Sequence, residues 1–161
     1  MSDAADPRTD HPGVIAPPPL IYGVPLLAGL AIHSLGAGLD FGFPLWLRLC
    51  LGLAILGAGF ALLGAALAGF VRAGTRAEPW KPSTALVVGG VYRLTRNPMY
   101  LGMALAYAGI ALFFDCWLTL VLLIPALLTI HFGVILREEA YLTGVFGEDY
   151  RAFMQGSRRW I

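Results

Sequence analysis

The chain has 161 residues, of which 58% are hydrophobic and only 13% charged, with a mean hydropathy of +0.72. An ordinary soluble domain carries roughly 25% charged residues and cannot hide this much apolar surface from water, so the excess faces lipid. The net charge is +1 and no block of like charges occurs, which argues against a nucleic-acid-binding surface.

Residues 1–19 are polar and proline-rich, with Asp3, Asp6, Arg8 and Asp10. They lack the basic start running into an apolar stretch that marks a signal peptide, and their composition predicts a disordered tail. Four runs free of Lys, Arg, Asp and Glu follow, over residues 20–39, 49–71, 98–114 and 116–136. Each is near the ~17 to 25 residues that cross about 30 Å of hydrocarbon at ~1.5 Å per residue. The expected fold is all-α, an integral-membrane helical bundle of about four transmembrane helices. An interfacial helix is expected over 137–155, with domain boundaries of 1–19 for the tail and 20–161 for the bundle.

Orientation follows from the basic residues. Arg72, Arg76, Lys81, Arg93 and Arg96 lie between the second and third runs, and Arg137, Arg151, Arg158 and Arg159 after the fourth. The two opposite turns offer only Arg48. The positive-inside bias predicts a multi-pass protein, as in a bacterial inner membrane, with its middle loop and both termini cytoplasmic. The turns holding Asp40 and Asp115 then lie outside. Trp46 and Trp117 fall at the outer interface, Trp80 and Trp160 at the cytoplasmic one, where amphipathic rings are favoured.

In the second run Gly57, Ala61, Ala65 and Gly69 recur every four positions, a stripe that lets helix backbones approach closely. Packing within the bundle and a homodimer through this span are both open readings, the first preferred. Pro125 is expected to kink the fourth run and open a pocket on the cytoplasmic side. Cys50 and Cys116 have no CxxC or Cys/His spacing, so neither a disulfide framework nor a metal site is expected and both read as packing residues.

The spans contain no carboxylates to carry a proton or ion path, so polar chemistry belongs at one surface. Two cytoplasmic blocks supply it. The first runs from Leu86 to Gly102: Gly89 and Gly90 make a turn where backbone can approach a ligand, and Asn97 followed by Pro98 reads as an N-cap and first helical residue. A helix start of this kind can receive a ligand carboxylate or be a helix start and nothing more. The second block is Arg137-Glu138-Glu139-Ala140-Tyr141-Leu142 and Phe146-Gly147-Glu148-Asp149-Tyr150. Glu138 and Glu139 stand at a helix C-terminal end, where the dipole disfavours carboxylates and calls for a cation. Arg93, Arg96 or a cationic ligand group would each serve. Phe146, Tyr150 and Phe153 share one helical face, along the interface or over a pocket. His131, two turns before Glu138 on the same side, is either a functional imidazole or one hydrogen-bonded to a neighbouring helix; His33 reads as structural.

These blocks resemble the isoprenylcysteine carboxyl methyltransferase family and the wider group of small integral-membrane methyltransferases that includes phospholipid N-methyltransferases. The matching residues are Gly90-Val91-Tyr92, Arg96-Asn97-Pro98-Met99-Tyr100-Leu101-Gly102, Glu138-Glu139-Ala140-Tyr141-Leu142 and Phe146-Gly147-Glu148-Asp149-Tyr150, within residues 86–151. The resemblance implies a cytoplasmic site for S-adenosylmethionine and a membrane lipid or lipophilic small molecule as methyl acceptor. Carried over, Leu86 and Val87 offer backbone contacts to the cofactor, Tyr92 packs against it, and Asn97, Pro98, Met99 and Tyr100 form its cradle. Glu138 receives its ammonium. Two positions depart from the eukaryotic prenylcysteine enzymes, which carry His at Asn97 and, one turn before the first Glu, an Arg where this chain has Val134. The second departure leaves the acceptor open, together with O-, N- or S-methylation.

An ionised carboxylate acceptor needs no general base, so orientation and exclusion of water can supply the catalysis, whereas an amine or thiol must lose a proton. His131, Arg137 and Glu139 are the candidate catalytic residues. Competing readings are a phospholipid or small-molecule N- or S-methyltransferase of the same fold, a non-enzymatic membrane scaffold or transport subunit, and an NADPH-dependent reductase.

Overall fold

In the computed structural model the described residues are 11–37, 39–78 and 81–161, so most of the predicted tail and Trp80 lie outside them. All regular structure among them is helical apart from one isolated bridge between Thr95 and Arg158. Helix α1 spans Pro18–Ile32 and runs on through a wide π-helical turn, His33–Ala37. Helix α2 spans Leu45–Arg72, α3 Pro98–Phe113, and α4 Trp117–Ile130. A second π-helical turn, His131–Ile135, carries α4 directly into α5, Leu136–Phe146, and α6 follows over Glu148–Gly156.

Three of these continuous elements, Pro18–Ala37, Leu45–Arg72 and Trp117–Phe146, are long and apolar enough to cross a membrane. The 16-residue α3 is shorter, about 24 Å at ~1.5 Å per residue. The 30-residue element from Trp117 is about 45 Å long against ~30 Å of hydrocarbon. Its apolar part ends at Leu136, and charged residues begin at Arg137.

Helix α2 lies along α3, α1 along α4, and α3 also meets α1 and α4. The α2–α3 contact is backbone to backbone. A β-carbon at Gly59 would fall 2.6 Å from the Ala106 amide nitrogen, and one at Gly109 2.6 Å from that of Leu56, so neither position has room for a side chain. The buried edge of α2 is Gly52, Gly59, Ala66 and Gly69. This corrects the expected stripe, of which only Gly69 is buried while Gly57 and Ala61 face outward. The reason is angular: a four-residue step drifts ~40° around a helix, whereas a seven-residue step drifts only ~20° and stays on its neighbour.

The core joins Tyr22, Tyr100, Ala104, Tyr107, Ala126, Ile130, Val134 and Ile135. The Tyr22 hydroxyl donates to the Tyr100 carbonyl at 3.1 Å. At the end away from the pocket described below, Asp115 lies in the α3–α4 turn, accepts from the Phe41 amide at 3.1 Å and pairs with Arg48 at 3.2 Å. Cys116 is buried and its sulfur caps α4 by accepting from the Thr119 amide; Cys50, expected to pack inside, is exposed.

Helix α4 continues through Pro125, and the wide turn lies beyond it. There the absent side chain of Gly133 admits Ile15, whose amide donates to the Gly133 carbonyl at 3.3 Å. The single interfacial helix expected over 137–155 is two helices. Gly147, at φ 54 and ψ −121, has a backbone that side-chain-bearing residues avoid, and it breaks the chain between α5 and α6. Phe146 therefore does not share a helical face with Tyr150 and Phe153.

Candidate active site

Among its described residues the loop from Ala73 to Asn97 contains one short 3-10 turn, Gly90–Arg93, which begins at Gly90 with φ 62. It carries Tyr92 into the protein, edge-on to Phe70 of α2 at 5.8 Å and against Gly69. Burial, reinforced by the nearby Glu138, pushes the Tyr92 phenol above its ordinary range. The Tyr141 hydroxyl of α5 accepts from the Ser83 amide at 3.2 Å, tying the loop to the far wall.

Asn97 occupies the N-cap position of α3 and Pro98 the first helical one, but the Asn97 side chain makes no cap. Its Nδ2 donates instead to the Arg159 carbonyl at 2.9 Å, and its own amide donates to the Thr95 hydroxyl at 3.2 Å. Thr95 Oγ1 in turn donates to the Arg159 carbonyl at 3.2 Å, and the Arg96 amide to that of Arg158 at 2.8 Å. A tertiary partner has taken the side chain that sequence assigns to a local cap.

The neighbouring glutamates have opposite fates. Glu139 is buried and doubly paired: Oε1 accepts from Arg96 Nε and Nη2 at 3.2 and 3.1 Å and from Arg159 Nε at 3.0 Å, and Oε2 from Arg159 Nη2 at 2.7 Å. Hydrogen bonding to Glu139 raises the Arg159 guanidinium further into its charged range. Glu138 accepts from the Tyr100 hydroxyl at 2.6 Å, and no basic side chain among the described residues pairs with it. Burial pushes its carboxyl up to about 7. A carboxylate in this position gains most from a cation arriving from outside.

Leu86, Val87, Tyr92, Asn97, Pro98, Met99, Tyr100 and Glu138 all line one pocket, with Phe70 behind and Tyr150 and Phe153 of α6 on the opposite side. The space they enclose, including the open mouth, is about 780 Å³. Glu139 is in the lining as well. His131 and Arg137 are not in its lining: the His131 Nδ1 accepts from the Trp160 indole at 3.2 Å, and Arg137 donates to the Gly13 carbonyl at 2.7 Å. Val134 is fully buried in the core. No group of His, Cys, Asp and Glu among the described residues has metal-site geometry. Sequence reasoning did not find Arg159 as a site residue, since two adjacent arginines near a chain end read as ordinary interfacial charges.

The family model described as phospholipid methyltransferase matches residues 47–149, which include the pocket loop, α3 and both glutamates. A curated protein of Haemophilus influenzae, described as an uncharacterized protein, is 35% identical over 63 residues, covering 39% of this chain and 79% of that one.

Proposed function

We propose, since the chain belongs to the phospholipid methyltransferase family, that it is a membrane methyltransferase drawing its methyl group from S-adenosylmethionine. Its acceptor on this reading is a lipid or another lipophilic molecule. The observation that carries it is Glu138, a half-buried carboxylate lining a pocket, which among the described residues is hydrogen-bonded by a neutral phenol and by no cation, while the adjacent Glu139 takes both nearby guanidiniums. A donor bearing an α-ammonium supplies the missing cation.

The rest of the pocket fits the same molecule. Tyr92, Phe70, Tyr150 and Phe153 offer apolar and aromatic walls to a flat heterocycle, and Leu86 and Val87 backbone beside it. Asn97, Pro98, Met99 and Tyr100 bring the start of α3 to the pocket, a placement suited to a carboxylate. When bound, the donor supplies an electrophilic methyl group on a sulfonium. The residues hold and orient it and exclude water, and well-oriented reactants can gain ~7 to 11 kcal/mol from positioning. Both Glu139 oxygens are engaged by arginine, which removes it from the free bases.

With the middle loop cytoplasmic, the donor enters from the cytoplasm and the acceptor from the bilayer through four crossings, α3 among them. The test is titration of the purified protein in nanodiscs with S-adenosylmethionine, with NADPH beside it. Saturable binding of the first alone is expected; folded protein that binds neither sinks the reading. Incubation of lipid extract with labelled donor and analysis by mass then identifies the acceptor.

A further inference from the structure

Helix α6 is joined to the rest of the protein at a glycine and fastened at its far end. Gly147 sits at φ 54 with nothing within 4 Å of where a β-carbon would be, so the joint is open and conformationally permissive. At the other end the Arg96 Nη1 donates to the Met154 and Ser157 carbonyls at 3.0 and 2.6 Å, a cation placed where the α6 dipole favours one. The tail then crosses the pocket loop through the Arg158 and Arg159 carbonyls, and the Arg159 side chain returns to Glu139. Between hinge and fastening lie Tyr150 and Phe153, which form one wall of the pocket.

We propose that α6 and the tail after it are a hinged cover on the donor pocket, turning at Gly147 and latched by the Glu139 carboxylate, with Arg159 the positioning residue that fastens the latch. Arg96 belongs to the pocket loop and holds Glu139 whether the cover is open or shut. Arg159 belongs to the cover and makes two charge-assisted bonds that opening must break. The Arg159 carbonyl also holds Asn97 and Thr95, so closing the cover sets the start of α3. The inference rests on the donor reading above and adds the means by which the donor is admitted and retained.

The experiment compares donor binding and release for wild type, Arg159→Ala, Arg159→Lys and, as a control on the outer face of α6, Arg151→Ala. Binding of S-adenosylmethionine is measured in nanodiscs, release by stopped-flow displacement, and tail mobility in the ligand-free protein by hydrogen exchange over residues 148–160. Loss of a bidentate charge-assisted pair predicts about tenfold weaker binding for Arg159→Ala, carried by release rather than association, with Arg159→Lys recovering to within about threefold. Arg151, exposed and paired with Glu148 on α6 itself, should change nothing. A merely structural role for Arg159 lowers thermal stability and leaves the affinity and release rate of the folded fraction unchanged, and that result overturns the cover. Wild-type binding with equal binding by Arg159→Ala defeats the cover alone; a wild type that binds no donor defeats the donor reading and the cover with it.

Discussion

Glu138→Gln tests the site at the point where its electrostatics are least balanced. The substitution keeps the side-chain shape and leaves an amide oxygen to accept the Tyr100 hydroxyl, so the hydrogen bond at 2.6 Å can persist while the charge goes. Two unit charges ~4 Å apart interact by about 4 kcal/mol at an effective dielectric of ~20. Desolvation of the ligand ammonium offsets part of that, leaving roughly 2 to 3 kcal/mol, or roughly 30- to 150-fold in the dissociation constant of S-adenosylmethionine. Calorimetric titration in nanodiscs reads the difference. Glu148→Gln, on an exposed side chain paired with Arg151, should leave the constant unchanged.

The pH dependence makes the test sharper. Glu138 ionises at about 7, held up by burial. The ionised form attracts the ligand more strongly, so wild-type affinity should fall as pH drops below ~7, by no more than the roughly 30- to 150-fold expected of Glu138→Gln, and level off above it. Glu138→Gln should show no such slope. In the ligand-free protein the sign reverses. An acid whose pKa is raised on folding binds more protons folded than unfolded, so its contribution to stability falls as pH rises from 4.5 through about 7. At pH 8 ligand-free Glu138→Gln should therefore be at least as stable as wild type. Binding by Glu138→Gln within threefold of wild type, with the same pH slope, would falsify the assignment.

Other expectations follow from the packing. Gly59→Leu forces a side chain against the α3 backbone and should lower stability by about 2 kcal/mol or more, seen as a drop in thermal midpoint in detergent, whereas Gly57→Ala, in open space, should be neutral or slightly stabilising. Asp115→Ala leaves Arg48 and the Phe41 amide without their partner and should cost about 1 to 3 kcal/mol by the same measurement. Gly147→Ala puts a side chain at a backbone conformation costing about 1 to 3 kcal/mol and should weaken donor binding, while Gly144→Ala within α5 should not. His131→Gln should leave donor affinity within about twofold, because its ring meets Trp160 outside the pocket lining.

What was legible in the sequence follows from what is scarce in it. In a chain where charge is rare, a carboxylate pair at the polar end of an apolar run and an Arg-Asn-Pro start to another stand out, and both line the same pocket. Composition and spacing do not divide their labour; the family resemblance alone gives the ligand's ammonium to Glu138. Glu138 and Glu139 are one residue apart and both line the pocket, and which of them meets the arginines depends on the rotation of the long helix after its π-helical turn, a tertiary outcome. The same holds for Asn97, whose local capping preference yields to the Arg159 carbonyl. It holds again for α2, whose sequence carries a four-residue repeat of small residues while the seven-residue one does the packing. In each case local sequence identified the chemistry available, while contacts from residues distant in the chain assigned its use. Glu139 depends on Arg159 in this way, and a motif confined to residues 86–151 omits the segment that fixes which carboxylate stays free for a ligand.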